Sequence, residues 1–160
     1  AKQLERPDFC RVVLELLDMT EFPVRLLCLE ITERCISLPV SVINERMAVL
    51  RGYGIKFAMD DFGTGSSSSA MALEMLIDEI KIDMSFIRKI LVNKKNKAIV
   101  QSIVDFANAA NIKSCLEGVE NKALEDYLRT VGATWFQGYY YSRQDAADEL
   151  EILLSNSWKK

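Results

Sequence analysis

Two adjacent carboxylates, Asp60 and Asp61, follow the apolar run Ile55 to Met59 and precede a glycine-spaced loop, Phe62-Gly63-Thr64-Gly65. Neighbouring Asp side chains repel each other, so the pair is costly unless solvent or a cation neutralises it. A strand ending in a polar turn accounts for the pair taken alone. Other apolar runs end the same way, however. Glu30 closes Leu26-Leu27-Cys28-Leu29, Glu117 closes Ile112 to Leu116, and Gln137 closes Thr134-Trp135-Phe136. Lys81 lies inside the alternating segment Ile80-Lys81-Ile82-Asp83. Any one of these acids reads most simply as a helix N-cap, and Lys81 as a salt-bridge partner. Five segments sending polar groups toward one rim read as a site.

The chemistry open to such a rim is narrow. Carboxylates without histidine are hard oxygen ligands suited to Mg²⁺ or Mn²⁺. Two adjacent Asp residues can serve two ions, one carboxylate bridging and its neighbour binding the second. Ions roughly 3.5–4 Å apart can clamp the attacking and leaving oxygens of an in-line phosphoryl displacement. A nearby lysine could orient water or stabilise charge on the phosphate.

Composition supports this by exclusion. The 160 residues contain no histidine, which removes His-based triads, haem proximal ligands and His-containing zinc sites. Cys10, Cys28, Cys35 and Cys115 lack CxxC spacing and read as buried thiols of a reducing compartment. A formal charge of −3 offers no broad basic surface for a nucleic acid polymer or an anionic membrane. No apolar stretch reaches the roughly 20 residues needed to span a bilayer, and the chain reads as cytosolic. At 49% hydrophobic and 27% charged residues it is an ordinary globular sequence, long enough for one domain.

The elements that must position the rim are legible from periodicity. Asp8 can cap a helix carrying Val12, Val13, Leu16 and Leu17, which Phe22-Pro23 breaks. Val24 to Ile31 reads as a buried strand ending at Glu30. Ser37-Leu38-Pro39 signals the start of a helix with Ile43, Met47 and Leu50 as its apolar stripe, stopped by Gly52 and Gly54. The strand Ile55–Met59 and its Asp pair follow, then a four-serine run at 66–69 and a helix-compatible stretch, Ala70 to Leu76. Ile80 to Asp83 reads as a strand and Ser85 to Leu91 as a helix. Lys94-Lys95-Asn96-Lys97 reads as a solvated connection. Ile99, Ile103, Phe106 and Ala110 mark an amphipathic helix, Ile112 to Leu116 a strand, Leu124 to Val131 a helix and Thr134 to Phe136 a short strand. Asp145 opens a last helix. Strand and helix alternate five times, which indicates a parallel α/β sheet with both faces covered. A doubly wound sheet and a (β/α) barrel are the two candidates; both collect ligands at the carboxyl ends of their strands.

The segments Leu29-Glu30-Ile31-Thr32-Glu33, DDFGTG at 60–65, Ile80-Lys81-Ile82-Asp83, Glu117-Gly118-Val119-Glu120 and Gln137-Gly138-Tyr139 resemble the successive signatures of the EAL domain. That family hydrolyses the bacterial messenger cyclic di-GMP to linear pGpG. The resemblance runs from Ala1 to about Leu154 and implies a modified (β/α) TIM-type barrel. It implies that Glu30 is a ligand of a first metal, Asp60 the bridging ligand, and Asp61 and Glu117 ligands of a second, the ions being Mg²⁺ or Mn²⁺. Lys81 matches the lysine that contacts the nucleophilic water. Glu120 matches the glutamate that steadies the loop after the Asp pair, and Gln137 a polar residue at the pocket floor. The resemblance also implies a cyclic dinucleotide as substrate, a homodimer, and a sensory or cyclase domain upstream.

Two departures qualify these expectations. The family's E-A-L glutamate and an asparagine metal ligand fall upstream of Ala1. A (β/α) barrel typically needs about 250 residues, so residues 1–160 are expected to be a single-domain fragment lacking its first strands, weakly active or inactive alone. Ser66 and Ser69 stand where the family has an aromatic and a larger apolar residue, which removes packing anchors from the loop. A degenerate domain acting as a cyclic di-GMP receptor or scaffold is the alternative function, and a globular domain with no nucleotide role is a third.

Overall fold

A computed structural model describes residues 3–32, 38–64 and 68–143. The elements, in order, are α1 (Phe9–Thr20), a 3₁₀ turn (Val24–Leu26), β1 (Cys28–Thr32), α2 (Val40–Gly52), β2 (Lys56–Phe62), α3 (Ser68–Glu74), β3 (Glu79–Ile82), α4 (Met84–Ile87), α5 (Lys94–Ala109), β4 (Lys113–Glu117), α6 (Lys122–Arg129) and β5 (Trp135–Gln137). All five strands run parallel, and each lies beside its predecessor in the order β1-β2-β3-β4-β5. A doubly wound sheet reverses its strand order at a switch point. This one never reverses, and the architecture is the wall of a (β/α) barrel.

Unreversed crossovers of one hand place every helix on the same side of the sheet. The side chains there are Leu29 and Ile31 of β1, Phe57 and Met59 of β2, Ile80 and Ile82 of β3 and Leu116 of β4. These pack in two apolar clusters against the helices. Among the described residues the helices cover one face only. Alternation puts Cys28, Glu30, Lys56, Glu79, Lys81, Lys113, Cys115, Glu117, Trp135 and Gln137 on the opposite, barrel-inner face. Of these, Cys28, Glu30, Lys56, Lys113, Trp135 and Gln137 are exposed. A barrel wall needs helices on its outside only, because its inside faces other strands.

Several local expectations also change. Val24 to Leu27 is not strand: Pro23 opens a 3₁₀ turn, with Leu26 N–H donating to the Pro23 carbonyl at 2.8 Å. β1 then runs past Glu30 to Thr32, so Glu30 is an interior strand residue. Asp8 does precede α1, but its carboxylate accepts from Arg6 at 2.9 Å and does not cap the helix. The lysine run at 94–97 is the first turn of α5, because Asn93 caps it by accepting from Lys95 N–H at 2.9 Å. The helix expected over 85–91 is a single turn. Of the thiols, Cys115 is buried, Cys10 half-buried and Cys28 exposed on the inner face. Cys35, Ser37, Ser66 and the helix expected from Asp145 lie outside the described residues.

Candidate active site

Lys81 is the centre of the site. It sits in the middle of β3, whose neighbours Ile80 and Ile82 are fully buried on the helix side, and this fixes the lysine toward the inner face. Its side chain is only 7% exposed, yet it carries a full charge. Two carboxylates answer that charge. Lys81 Nζ donates to Glu30 Oε1 at 2.7 Å and lies 2.8 Å from Glu117 Oε1. Glu30 comes from β1 and Glu117 from the last position of β4, so one ammonium links two strands on either side of its own. Burial alone would lower the lysine's pKa, but the bonds to Glu117 and Glu30 outweigh it and hold the pKa above its ordinary value.

Opposite Lys81, β2 is irregular. Met59 pairs with Ile80 and Phe62 with Ile82, leaving two residues, Asp60 and Asp61, against the single Lys81. The Asp pair is thus a β-bulge inside the strand, not a turn after it. Asp61 absorbs the extra residue in the left-handed region, at φ 56°, a conformation that Asp tolerates better than most side chains. Its N–H donates to Asp60 Oδ1 at 3.0 Å, and the Thr64 hydroxyl donates to its carbonyl at 2.8 Å. Both carboxylates are half-buried. Thr32, the last residue of β1, lies in register with Asp60.

The two remaining sequence candidates lie farther along the rim. Gln137 ends β5, exposed and in register with Glu117, and its carbonyl accepts from Val119 N–H at 3.0 Å. Glu120 is exposed and lies 3.8 Å from Arg88. Residues 65–67 of the Asp-pair loop are outside the described residues, so the role expected of Glu120 has no described contact behind it. Arg88 was missed by the sequence reading, since nothing in its spacing links it to Glu120. Met84 was missed as well: it packs on Gly118 beside Glu117, and only the fold brings the two loops together.

Some chemistry can be discounted. Cys115 lies in register with Lys81, but burial pushes its thiol up to about 12, which leaves no reactive thiolate. A recess of about 730 Å³ lies at the opposite, N-terminal ends of the strands, lined by residues that include Arg25, Lys56, Glu79 and Trp135. Its charges are partly spent on structure: Arg51 bridges Asp78 at 2.7 Å, and Lys113 lies 5.1 Å from the centre of the Trp135 ring.

The residue types suit a divalent ion. Among the described residues no three acidic or thiol side chains are grouped as an ion site. Two of the expected ligands, Glu30 and Glu117, hold the Lys81 ammonium instead.

A model of the EAL domain matches residues 1–144. The chain belongs to the EAL-domain family. It is 37% identical over 123 residues to the cyclic di-GMP phosphodiesterase PdeB of Shewanella oneidensis, an overlap covering 77% of this chain and 14% of PdeB. It superposes on the EAL domain of Mycobacterium smegmatis DcpA with a TM-score of 0.90 and 28% identity, over 96% of this chain and 69% of that one. On a calcium and cyclic di-GMP complex of Klebsiella pneumoniae BlrP1 the TM-score is 0.79 with 29% identity, over 88% of this chain and 36% of that one. This EAL chain spans 14% of the length of PdeB and 26% of the length of the probable cyclic di-GMP phosphodiesterase PdeG of Escherichia coli.

Proposed function

We propose that this EAL domain hydrolyses cyclic di-GMP to linear pGpG with Mg²⁺ or Mn²⁺. The observation that carries the proposal is the Glu30–Lys81–Glu117 triad set opposite the Asp60–Asp61 bulge at one end of the sheet. No structural need explains a buried ammonium held by two strands next to two adjacent acids, one of them in the left-handed region. Relatives named as phosphodiesterases and a neighbour solved with cyclic di-GMP support the substrate class.

The roles we assign follow from charge and position. Lys81 is a fixed positive charge on the barrel-inner face, suited to orient a water or a phosphate oxygen. Glu30, Asp60, Asp61 and Glu117 are the acidic donors that divalent ions would draw on, and such ions would polarise the phosphodiester and acidify water. Gln137, exposed beside Glu117, can hydrogen-bond the dinucleotide. The bulge sets two adjacent acids against the single Lys81, where a regular strand would set one.

The test is hydrolysis of cyclic di-GMP by the purified protein with Mg²⁺ or Mn²⁺, followed by chromatography of the nucleotides. Formation of pGpG is expected, with loss of turnover in Asp60→Asn. No turnover with either ion, in a protein that is folded, would overturn the assignment. One observation favours a second reading, that of a cyclic di-GMP receptor: two of the four acids, Glu30 and Glu117, are engaged by Lys81, and among the described residues no three acidic side chains are grouped for an ion. Calorimetry separates the two, since a receptor binds the dinucleotide without metal and returns it intact.

A further inference from the structure

Between Asp83 and Asp105 the chain carries five cations, Arg88, Lys89, Lys94, Lys95 and Lys97, and no acid, although its formal charge is −3. The fold gathers them around the turn that joins α4 to α5. Two of them are engaged: Arg88 lies 3.8 Å from Glu120, and Lys97 lies 4.7 Å from the centre of the Tyr127 ring. Lys89, Lys94 and Lys95 are exposed, and among the described residues none of the three pairs with an acid. Lys94 and Lys95 also stand in the first turn of α5, at the positive end of its dipole, where cations weaken a helix and acids would strengthen it. Folding gives no reason to collect cations here.

The same turn presents apolar surface. Ile87 and Ile90 are fully buried and pin it to the core, whereas Leu91, Val92 and Ile99 are 43%, 87% and 40% exposed. Val92 N–H and Asn93 N–H both donate to the Lys89 carbonyl, at 3.2 and 2.9 Å, so the tip is held by its own hydrogen bonds. Lys95 and Ile99, four residues apart, share one face of α5. An apolar tip ringed by cations complements an anionic bilayer: its negative surface potential attracts the lysines, and the tip gains by leaving water. The phosphates of a nucleic acid would answer the lysines but leave the tip in water.

We propose that the α4–α5 turn docks on an anionic lipid bilayer, with Leu91 and Val92 entering the headgroup layer and Lys89, Lys94 and Lys95 meeting lipid phosphates. Three free lysines and two apolar side chains make a reversible contact that salt weakens. Docking needs neither an ion nor turnover at Lys81, and it stands or falls apart from the phosphodiesterase reading.

The experiment is co-sedimentation of the purified protein with vesicles of phosphatidylcholine alone and of equal parts phosphatidylcholine and phosphatidylglycerol. Binding is expected to the mixed vesicles only, and added salt should weaken it. Lys94→Gln with Lys95→Gln should reduce partitioning at least about tenfold. Arg6→Gln with Arg11→Gln removes the same charge around the start of α1 and should change it little. Leu91→Ser with Val92→Ser should also reduce it several-fold. Failure to bind, equal binding to both kinds of vesicle, or equal losses in the lysine and arginine variants overturns the proposal. So does full binding by the serine variant, which would mark the turn as a site for any polyanion. A second measurement places the tip directly. Val92→Trp should be quenched by brominated lipid in the mixed vesicles beyond the parent's own tryptophans, and an unquenched tryptophan in bound protein overturns the proposal.

Discussion

Asp61 is asked to serve two masters, since its carboxylate is one of the proposed ion ligands while its backbone is held at φ 56°. Substitution can separate the two demands. Asp61→Asn preserves the short polar side chain that tolerates this region. Asp61→Gly removes the Cβ that makes it strained, although glycine also gains entropy in the unfolded chain. Asp61→Val should cost about 1–2 kcal/mol in urea denaturation, the penalty of a left-handed conformation for a side-chain-bearing residue. Asp61→Gly should stay within about 1 kcal/mol of the parent, yet lose cyclic di-GMP hydrolysis by at least about a hundredfold, because even outer partners of ion ligands cost 10–100-fold. A glycine variant as active as the parent would leave the carboxylate without a role. The bulge also marks where the sequence stopped being readable. Two adjacent acids announce that something departs from a regular strand, but whether they follow the strand or bulge from it depends on the register with Ile80 and Ile82.

The loops around the site are fastened to one another through glycines. Gly118, at φ 75°, brings its Cα against α4, so that an added Cβ would meet the Met84 Cβ at 2.6 Å. Gly138 lies on the backbone of Val119 with no room for any side chain. The contact is sealed by Val119 N–H donating to the Gln137 carbonyl and Tyr140 N–H donating to the Val119 carbonyl, both at 3.0 Å. Gly138→Ala must push β5 off this loop. We expect a loss of about 1–3 kcal/mol, typical of overpacking, measured by chemical denaturation, and a shift of Glu117 that weakens hydrolysis. Beside this contact α6 is braced by Glu125, which bonds Arg129 and Lys122, while the Tyr141 hydroxyl donates to it at 3.3 Å. Arg129 first and Lys122 second hold the Glu125 pKa below its ordinary value. A carboxylate with a depressed folded-state pKa stabilises the fold above the unfolded pKa and loses that contribution as pH falls through the folded one. Glu125→Gln should therefore lower the melting temperature at pH 7 and leave it nearly unchanged at pH 3. An equal loss at both pH values would mean that packing, not charge, is what Glu125 supplies. Helices such as α6 were plain in the sequence from their apolar spacing, and the structure adds Asn121 as its cap, accepting from Leu124 N–H at 3.0 Å. The lysine run at 94–97 misled because composition describes side chains, and these remain solvated while Asn93 folds their backbone into α5.

At the scale of the whole molecule, the alternation of strands and helices could not choose between a reversing and an unreversed sheet, since crossover order leaves no trace in local periodicity. The unreversed order has a consequence for solubility. β1 stands at one edge of the sheet, and among the described residues no strand pairs with its outer side. Beside it an apolar groove is lined by Val13, Leu16, Leu17, Thr20, Phe22, Leu27 and Leu29. α1 adds to this surface with Leu16 at 54% and Met19 at 80% exposure, although its spacing reads as that of a helix with a buried stripe. An open edge beside contiguous apolar area is a surface on which chains associate. Replacing Leu16 and Met19 by lysine should suppress concentration-dependent association in sedimentation velocity. The melting temperature should hold, because neither residue belongs to the buried core. The control is Val92→Lys, a residue 87% exposed on the turn between α4 and α5. If that single added charge disperses the protein equally well, net charge and not the α1–β1 surface governs association. If only the α1 substitutions act, the edge of the wall is the sticky part of the molecule, and any strand laid against β1 would cover it.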